Sequence, residues 1–304
     1  IVDRVRGTGD YLPGGLQFHA TLGLAIGVAI CGCAGNSGES NDTGAESGST
    51  VSARPEFPLL PPRTFQLDYG VTLEGLPKDA RVKVWFPAPQ TTDHQQITRL
   101  GHQAPVDPQV TSDETYGNRI LHFETHSGPK NSLGFQVNWR VTRREVRAID
   151  APGDPAALSE RHKALFLEAN SRVPISGKPL QLLEKTHLPD SDPLALGRIF
   201  YDRVNDHMKY DKSRPGYGNG DVLWACDSRF GNCTDFHSLF ISLARSQGLP
   251  AKFEIGFPLP PERGEGQIGG YHCWAQFYID GHGWVPTDIS EADKDPRRES
   301  YYYG

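Results

Sequence analysis

Three residues well separated along the chain have the types needed for acyl transfer to sulfur: Cys233, His272 and Asp288. A cysteine attacks as its thiolate, so something must stabilise that charged form. A histidine beside it can hold the proton, and a carboxylate can fix the imidazole in one tautomer and orientation. The surroundings of Cys233 suit the role. Phe236, Leu239, Phe240 and Leu243 recur at helical spacing, and Gly248 and Pro250 stop the run. Asn232 is a strong N-cap, which puts Cys233 in the first helical turn. There the helix dipole and unbonded N–H groups stabilise a thiolate and can receive an oxyanion. Asp235 can help to cap the same helix, and His237 is expected to be solvated or packed.

His272 and Asp288 sit in "GYHCWAQFYIDGHGWVPTD", which reads as strand, tight turn, strand. His272, Trp274, Gln276 and Tyr278 share one strand face, and Asp288 closes the second strand, so hairpin pairing can bring Asp288 to His272. His282 falls in the turn and is expected to be exposed. Each residue alone has a plainer explanation: a buried or disulfide-bonded cysteine, a packed strand histidine. Their order and combination favour catalysis. Cys226, Cys233, His272 and Cys273 contain no C-x-x-C pair, so no metal site is expected, and nothing points to a cofactor. A Cys226–Cys273 bridge sparing Cys233 is conceivable.

The elements that must position these residues follow from the patterning. "DPLALGRIFYDRVNDHMKY" has Asp192 as N-cap and Pro193 at the first helical position, with Leu196, Ile199, Phe200 and Val204 on one face. "SRPGYGNGDVLWACDSRFGN" reads as a glycine-rich loop without the Gly-Lys-Ser/Thr of a phosphate cradle. It is expected to wrap a cleft, with Trp224 as a wall and Trp274 and Trp284 in the core. Upstream, "TFQLDYGVTL", "ARVKVWFP", "RILHFET" and "LGFQVNWRV" alternate with the period of half-buried strands. Residues 62–148 are therefore expected to form an accessory antiparallel sandwich, and 149–304 the catalytic domain.

The front of the chain reads as an address. Ala20–Ile30 is an uncharged apolar run, too short to span a bilayer as a helix, followed by "ICGC". Cys33 matches the lipidated position of a bacterial lipobox, although Arg4 and Arg6 make a poor basic region and a short buried helix is the alternative. Residues 34–52 are rich in Gly, Ser, Asn and Glu, with too little apolar surface to offset ordering, and 34–61 is expected to be a flexible linker. Residues 1–33 are thus expected to be a lipoprotein-type signal, with the protein outside the cytoplasm and lipid-anchored to the bacterial cell envelope, at the periplasm or cell surface. The first residue is Ile1 and the last stretch is "ESYYYG", so the sequence is expected to be incomplete at one end or both. A net charge of −6 over 304 residues argues against nucleic-acid binding.

"GNCTDFHSLFISLARSQGLPAKFEIGF", "GYHCWAQFYIDGHGWVPTD" and "ISEADKDP" together resemble the core of the bacterial transglutaminase-like superfamily, within the papain-like cysteine enzymes. The resemblance covers about residues 190–304, and the preceding β-rich part resembles the front of multi-domain bacterial members. It implies an α+β fold in which a β-sandwich precedes a cysteine-bearing helix packed on an antiparallel sheet that carries His and Asp. It implies Cys233 as nucleophile, His272 as general base and acid, and Asp288 as the orienting carboxylate. Members usually continue past a "YFG"-like stretch, where this sequence stops at "YYYG", and the calcium sites of the animal cross-linking enzymes have no visible counterpart. The expected activity is thiol-dependent hydrolysis or acyl transfer on amide bonds of a peptide or protein, possible substrates including cell-envelope peptide, with hydrolysis favoured. The alternatives are an extracytoplasmic binding or scaffolding module on the same fold, and a purely structural lipoprotein. Oligomeric state is not legible.

Overall fold

The structure, a computed structural model, describes residues 60–129, 131–150, 157–259 and 264–304, together with the backbone of 3–8 and 26–30. Cys33 and residues 34–59 lie outside the described residues, as does most of the expected signal. Two short strands come first, β1 (Asp3–Thr8) and β2 (Ile26–Ile30).

The next six strands build two antiparallel layers. β3 (Arg63–Leu73) pairs along its whole length with β8 (Leu133–Arg143), and β5 (Gln95–Gln103) lies on the other side of β8. β4 (Arg81–Ala88), β7 (Arg119–His126) and β6 (Gln109–Ser112) form the second layer in the order β4-β7-β6. The period-2 alternation decides which side chains meet between the layers. Phe65, Leu67, Phe135, Val137 and Val141 face Val82, Val84, Phe86, Leu121 and Phe123, all buried. The Phe123 ring meets Phe86 and Phe135 edge-on at 5.7 and 5.5 Å. This core is not closed by the sandwich alone: Phe257, Leu259 and Ile268, from the second half of the chain, belong to the same cluster.

The second half opens with α1 (Glu160–Leu165) and a 3-10 turn at Lys178–Leu183. Helix α2 (Pro193–His207) begins as its sequence dictates, with Asp192 Oδ1 accepting from the Ala195 N–H at 2.9 Å. It buries Gly197, Phe200, Tyr201 and Val204, while Leu196 and Ile199 are only partly covered. Gly197 allows the close approach, since a Cβ there would stand 2.6 Å from the Phe277 ring. Then follow β9 (Lys209–Tyr210), α3 (Val222–Ser228), β10 (Phe230–Gly231) and α4 (Cys233–Ser246). The expected glycine-rich loop is thus interrupted by a helix, capped by Asp221 through the Trp224 N–H. Trp224 is therefore a partly buried helix residue, not a loop residue, set edge-on to Phe230 at 5.1 Å.

Strands β11 (Ala251–Leu259), β13 (His272–Ile279) and β14 (Gly283–Thr287) form an antiparallel sheet, with β2 parallel to β11 at its edge. β12 (Glu265–Ile268) pairs with β1, which in turn lies beside β3. α5 (Ile289–Lys294) and a 3-10 turn at Pro296–Arg298 follow β14. Helix α4 packs on this sheet between α2, α3 and α5, and every residue from Cys233 to Arg245 except Thr234 is buried. A central helix has no solvent face, so its polar residues need internal partners. Ser242 Oγ donates to the Pro174 carbonyl, and Arg245 donates to Ala251 O and Glu168 O. Among the described residues, no helix is long and apolar enough to cross a membrane.

Candidate active site

Cys233 opens α4, as its sequence context requires. Asn232 Oδ1 accepts from the Thr234 N–H at 2.9 Å, and Asp235 Oδ2 reaches back to the Asn232 N–H at 3.0 Å, closing a capping box. As the first helical residue, Cys233 has no intrahelical acceptor for its own N–H. Its side chain is 8% exposed.

Asp235 does more than cap. It is fully buried, and its carboxylate also accepts from the N–H groups of Gly218 at 2.6 Å and Gly220 at 3.1 Å. One carboxylate thereby ties the loop before α3 to the helix that carries Cys233. Gly220 has φ +61°, and a Cβ there would meet Ser238 Oγ at 2.7 Å, so the loop needs glycine to lie this close to α4.

His272 is the first residue of β13, and Asp288 follows β14 as the N-cap of α5. The hairpin and the cap together bring His272 Nε2 within 2.5 Å of Asp288 Oδ2. The other carboxylate oxygen accepts from Ser290 Oγ at 3.0 Å and the Glu291 N–H at 3.2 Å. The last residues brace this corner: the Asp288 N–H donates to Tyr302 O, and the Gly304 N–H to Pro286 O. With Nε2 engaged by Asp288, Nδ1 is the imidazole nitrogen left for Cys233, which is hydrogen-bonded to His272.

The electrostatics follow from this packing. The Cys233 thiol is held down to about 4, first by the hydrogen bond from the Cys273 thiol and then, against burial, by the hydrogen bond and charge of His272. Burial alone would lower the His272 pKa, but the charge and hydrogen bond of Asp288, with Cys233 adding to them, raise it to about 11. Burial would raise Asp288, but the His272 charge and hydrogen bond hold it at about 2. Burial pushes Cys273 well up, and the neighbouring Cys233 sulfur adds to this, so Cys273 keeps its proton and donates it. The directions of these shifts favour a thiolate at Cys233 beside an imidazolium at His272, with the Cys273 thiol as a further donor to the sulfur.

The structure thus brings Cys233, His272 and Asp288 together. Cys226, Cys233 and Cys273 are all free and buried, so the conceivable Cys226–Cys273 bridge is not formed. His237 is packed rather than solvated: it is fully buried, its Nε2 accepts from the Ile289 N–H at 3.1 Å, and burial depresses its pKa. Its proton therefore sits on Nδ1, with Nε2 3.7 Å from Asp288 Oδ1. His282 is half-buried in its turn, with Nε2 enclosed, and not exposed as expected. Trp274 is buried and Trp284 partly so. Sequence reasoning missed Cys273 as a partner of the nucleophile, and Glu291, whose Oε1 lies 4.0 Å from His272 Nδ1. It also missed Tyr271, 56% exposed beside His272 and stacked on Phe257. No periodicity marks these positions.

Comparison with known proteins bears on the same region. Residues 181–289 match the family model described as "Transglutaminase-like superfamily". An uncharacterised protein of Haemophilus influenzae is 25% identical over 240 residues, which cover 70% of this chain and 65% of that protein, so the match spans just under two thirds of the relative's length. The crystal structure of a candidate cysteine protease from Cytophaga hutchinsonii is similar with a TM-score of 0.54 and 16% identity, over 76% of this chain and 78% of that one. That likeness concerns the fold. The periplasmic domain of TgpA from Pseudomonas aeruginosa is more distant, with a TM-score of 0.41 and 17% identity over 77% of this chain and 72% of that one. The matched segment holds a helix that begins at a cysteine and packs on an antiparallel sheet, so the likeness to the transglutaminase-like superfamily is a likeness of this papain-like core, over residues 181–289.

Proposed function

We propose that the protein is a thiol-dependent enzyme that cleaves amide bonds through Cys233, His272 and Asp288, releasing the acyl group to water. The observation that carries this reading is the Cys233 thiol at the first turn of α4, held near pKa 4 beside an imidazole that Asp288 fixes at 2.5 Å. The thiolate adds to the amide carbon, and the carbonyl oxygen takes the negative charge. The helix N-terminus, including the Cys233 N–H, is the nearest donor group for that oxyanion. Collapse breaks the C–N bond as His272 Nδ1 gives its proton to the leaving amine, leaving a thioester on Cys233. His272 then takes a proton from water, hydroxide adds to the thioester, and the carboxylic acid leaves as the thiolate is restored. An amine in place of water would give acyl transfer by the same steps.

We further propose that the enzyme works outside the cytoplasm, lipid-anchored through Cys33, on peptide or protein substrates of the cell envelope. Radiolabelled palmitate should enter the wild-type protein expressed in a bacterium and not the Cys33→Ala variant.

The experiment for the chemistry is the rate of iodoacetamide modification at Cys233 against pH, read by peptide mass spectrometry. Cys233 should react at its full rate by pH 6, where an ordinary thiol of pKa about 8.5 is almost wholly protonated. His272→Ala should remove that advantage. A Cys233 rate that climbs only above pH 8 in both proteins would reject the thiolate and favour a binding role for the fold.

A further inference from the structure

A cavity of about 440 Å³ runs beside helix α4, a size typical of small-ligand sites. Thr234, Ser238, Ile241 and Arg245 line it, spaced four, three and four residues apart, so they form one stripe of the helix. The upper end is at Thr234, the residue after Cys233, whose Oγ1 is 3.7 Å from Cys273 Sγ; Cys233 itself does not line the cavity. The lower end is Arg245, about 16 Å further along the helix axis. Tyr116, from the β6–β7 connection, also lines it, so the sandwich helps to enclose the cavity.

Its charge is one-sided. Arg172, Arg245 and Lys252 line it, and no Asp or Glu does. Lys252 is paired with Glu254 at 3.1 Å. Arg245 is 8% exposed, yet it donates only to neutral acceptors: Ala251 O, Glu168 O and Asn170 Oδ1. Arg172 donates to Asn219 O. Among the described residues neither guanidinium is ion-paired. Arg245, buried and bonded only to carbonyls, has lost its water for no direct ion pair, with Glu168 acting on it only at a distance, so an anion in the cavity recovers part of that loss. Arg245 already spends Nε, Nη1 and Nη2 on its carbonyl partners, so Arg172, which donates through Nη1, is the guanidinium with N–H groups left for a carboxylate, while Arg245 adds its charge; an extended chain of about five residues spans the stripe from Thr234 to Arg245.

We propose that this cavity binds a carboxylate-bearing peptide chain, drawn in by the charges of Arg172 and Arg245, neither in an ion pair, and running along α4 toward Thr234, next to Cys233. The peptide assignment rests on the amide-directed reading above; the anion assignment rests on the charges alone. It also gives the sandwich a task, since its Tyr116 lines the cavity.

The test is calorimetric binding to the Cys233→Ala protein, in which no turnover occurs. Three probes are compared: penta-alanine with a free C-terminus, penta-alanine amide, and the amide with Glu in the last position. At least one carboxylate-bearing probe should bind tenfold or more tightly than the neutral amide. That preference should shrink at least threefold in the exposed-site variant Arg172→Gln. A preference for the free C-terminus assigns the terminal carboxylate, and a preference for the Glu amide assigns an acidic side chain; either supports the proposal. Equal binding of all three probes, absence of binding, or a preference unchanged in Arg172→Gln would overturn it. Inorganic phosphate binding as tightly as the best peptide would overturn the chain and leave a bare anion site. Because binding is read without Cys233, these failures are separable from failure of the thiolate in the alkylation profile of the wild-type protein.

Discussion

At the scale of residues, the sulfur of Cys233 owes its acidity to two neighbours that differ in kind. Cys273 supplies a hydrogen bond without charge, and His272 supplies a hydrogen bond with charge. They can be separated. Cys273→Ala removes the thiol donor and leaves the imidazolium, so the pH midpoint of Cys233 alkylation should rise from about 4 while staying well below that of a free thiol. Asp288→Asn works one step further away. It removes the charge that keeps His272 protonated against burial, so His272 turns neutral at pH 7 and the thiolate loses its counter-ion. Reactivity at pH 6 should then collapse, and amide cleavage should fall by about 10³- to 10⁴-fold, as expected when an orienting carboxylate is neutralised. A wild-type alkylation profile in the Asp288→Asn protein would place the source of thiolate stability elsewhere. Cys233, His272 and Asp288 were legible from the sequence because each stands at a marked position: a helix start, a strand start, a strand end. Cys273 and Glu291 were not. Their approach to the site exists only once β13 lies against the first turn of α4 and α5 turns back over His272.

At the scale of elements, the device that holds the candidate nucleophile is Asp235. It satisfies N–H groups of Asn232, Gly218 and Gly220 from a fully buried position. Asp235→Ala leaves these donors without their partner and should cost about 2–4 kcal/mol, read as a lowered urea midpoint with an unchanged slope. It should also lower activity in the fraction that remains folded, because the Gly218–Gly220 loop loses its tie to α4. Asp235→Asn keeps an acceptor oxygen and should recover part of the stability; if it is no better than alanine, the hydrogen-bond account fails. The helices were legible to the degree that their caps were. Asp192, Pro193 and Asn232 gave the starts of α2 and α4. α3 was hidden because its own cap, Asp221, stands among glycines that read as loop. The strands β5 and β6 were hidden for another reason: as outer strands they are largely exposed, and no apolar alternation marks them.

At the scale of the whole molecule, the sandwich and the sheet that carries His272 share apolar surface. Phe257, on β11, is 5% exposed within the sandwich's core cluster, and its ring meets Tyr69 at 5.4 Å and Tyr271 at 5.3 Å. Tyr69 and Tyr271 are themselves joined through their hydroxyls at 2.9 Å. Tyr271 precedes His272, so this contact runs from the sandwich to the residue beside the candidate base. Period-2 patterning predicted the sandwich's inner face, but no pattern within residues 62–148 could show that part of the core arrives from β11 and β12. Phe257→Ala should therefore act on both sides of the junction. Truncating a buried phenylalanine costs about 3–5 kcal/mol. If the sandwich and the catalytic core stabilise each other, fluorescence of Trp139 and of Trp274, followed in variants with the other tryptophans replaced by Phe, should report one shared transition that moves to lower urea in Phe257→Ala. Two separated transitions in the wild-type protein, with only one displaced by the substitution, would mean that each part folds on its own and that the shared cluster is a contact between finished units.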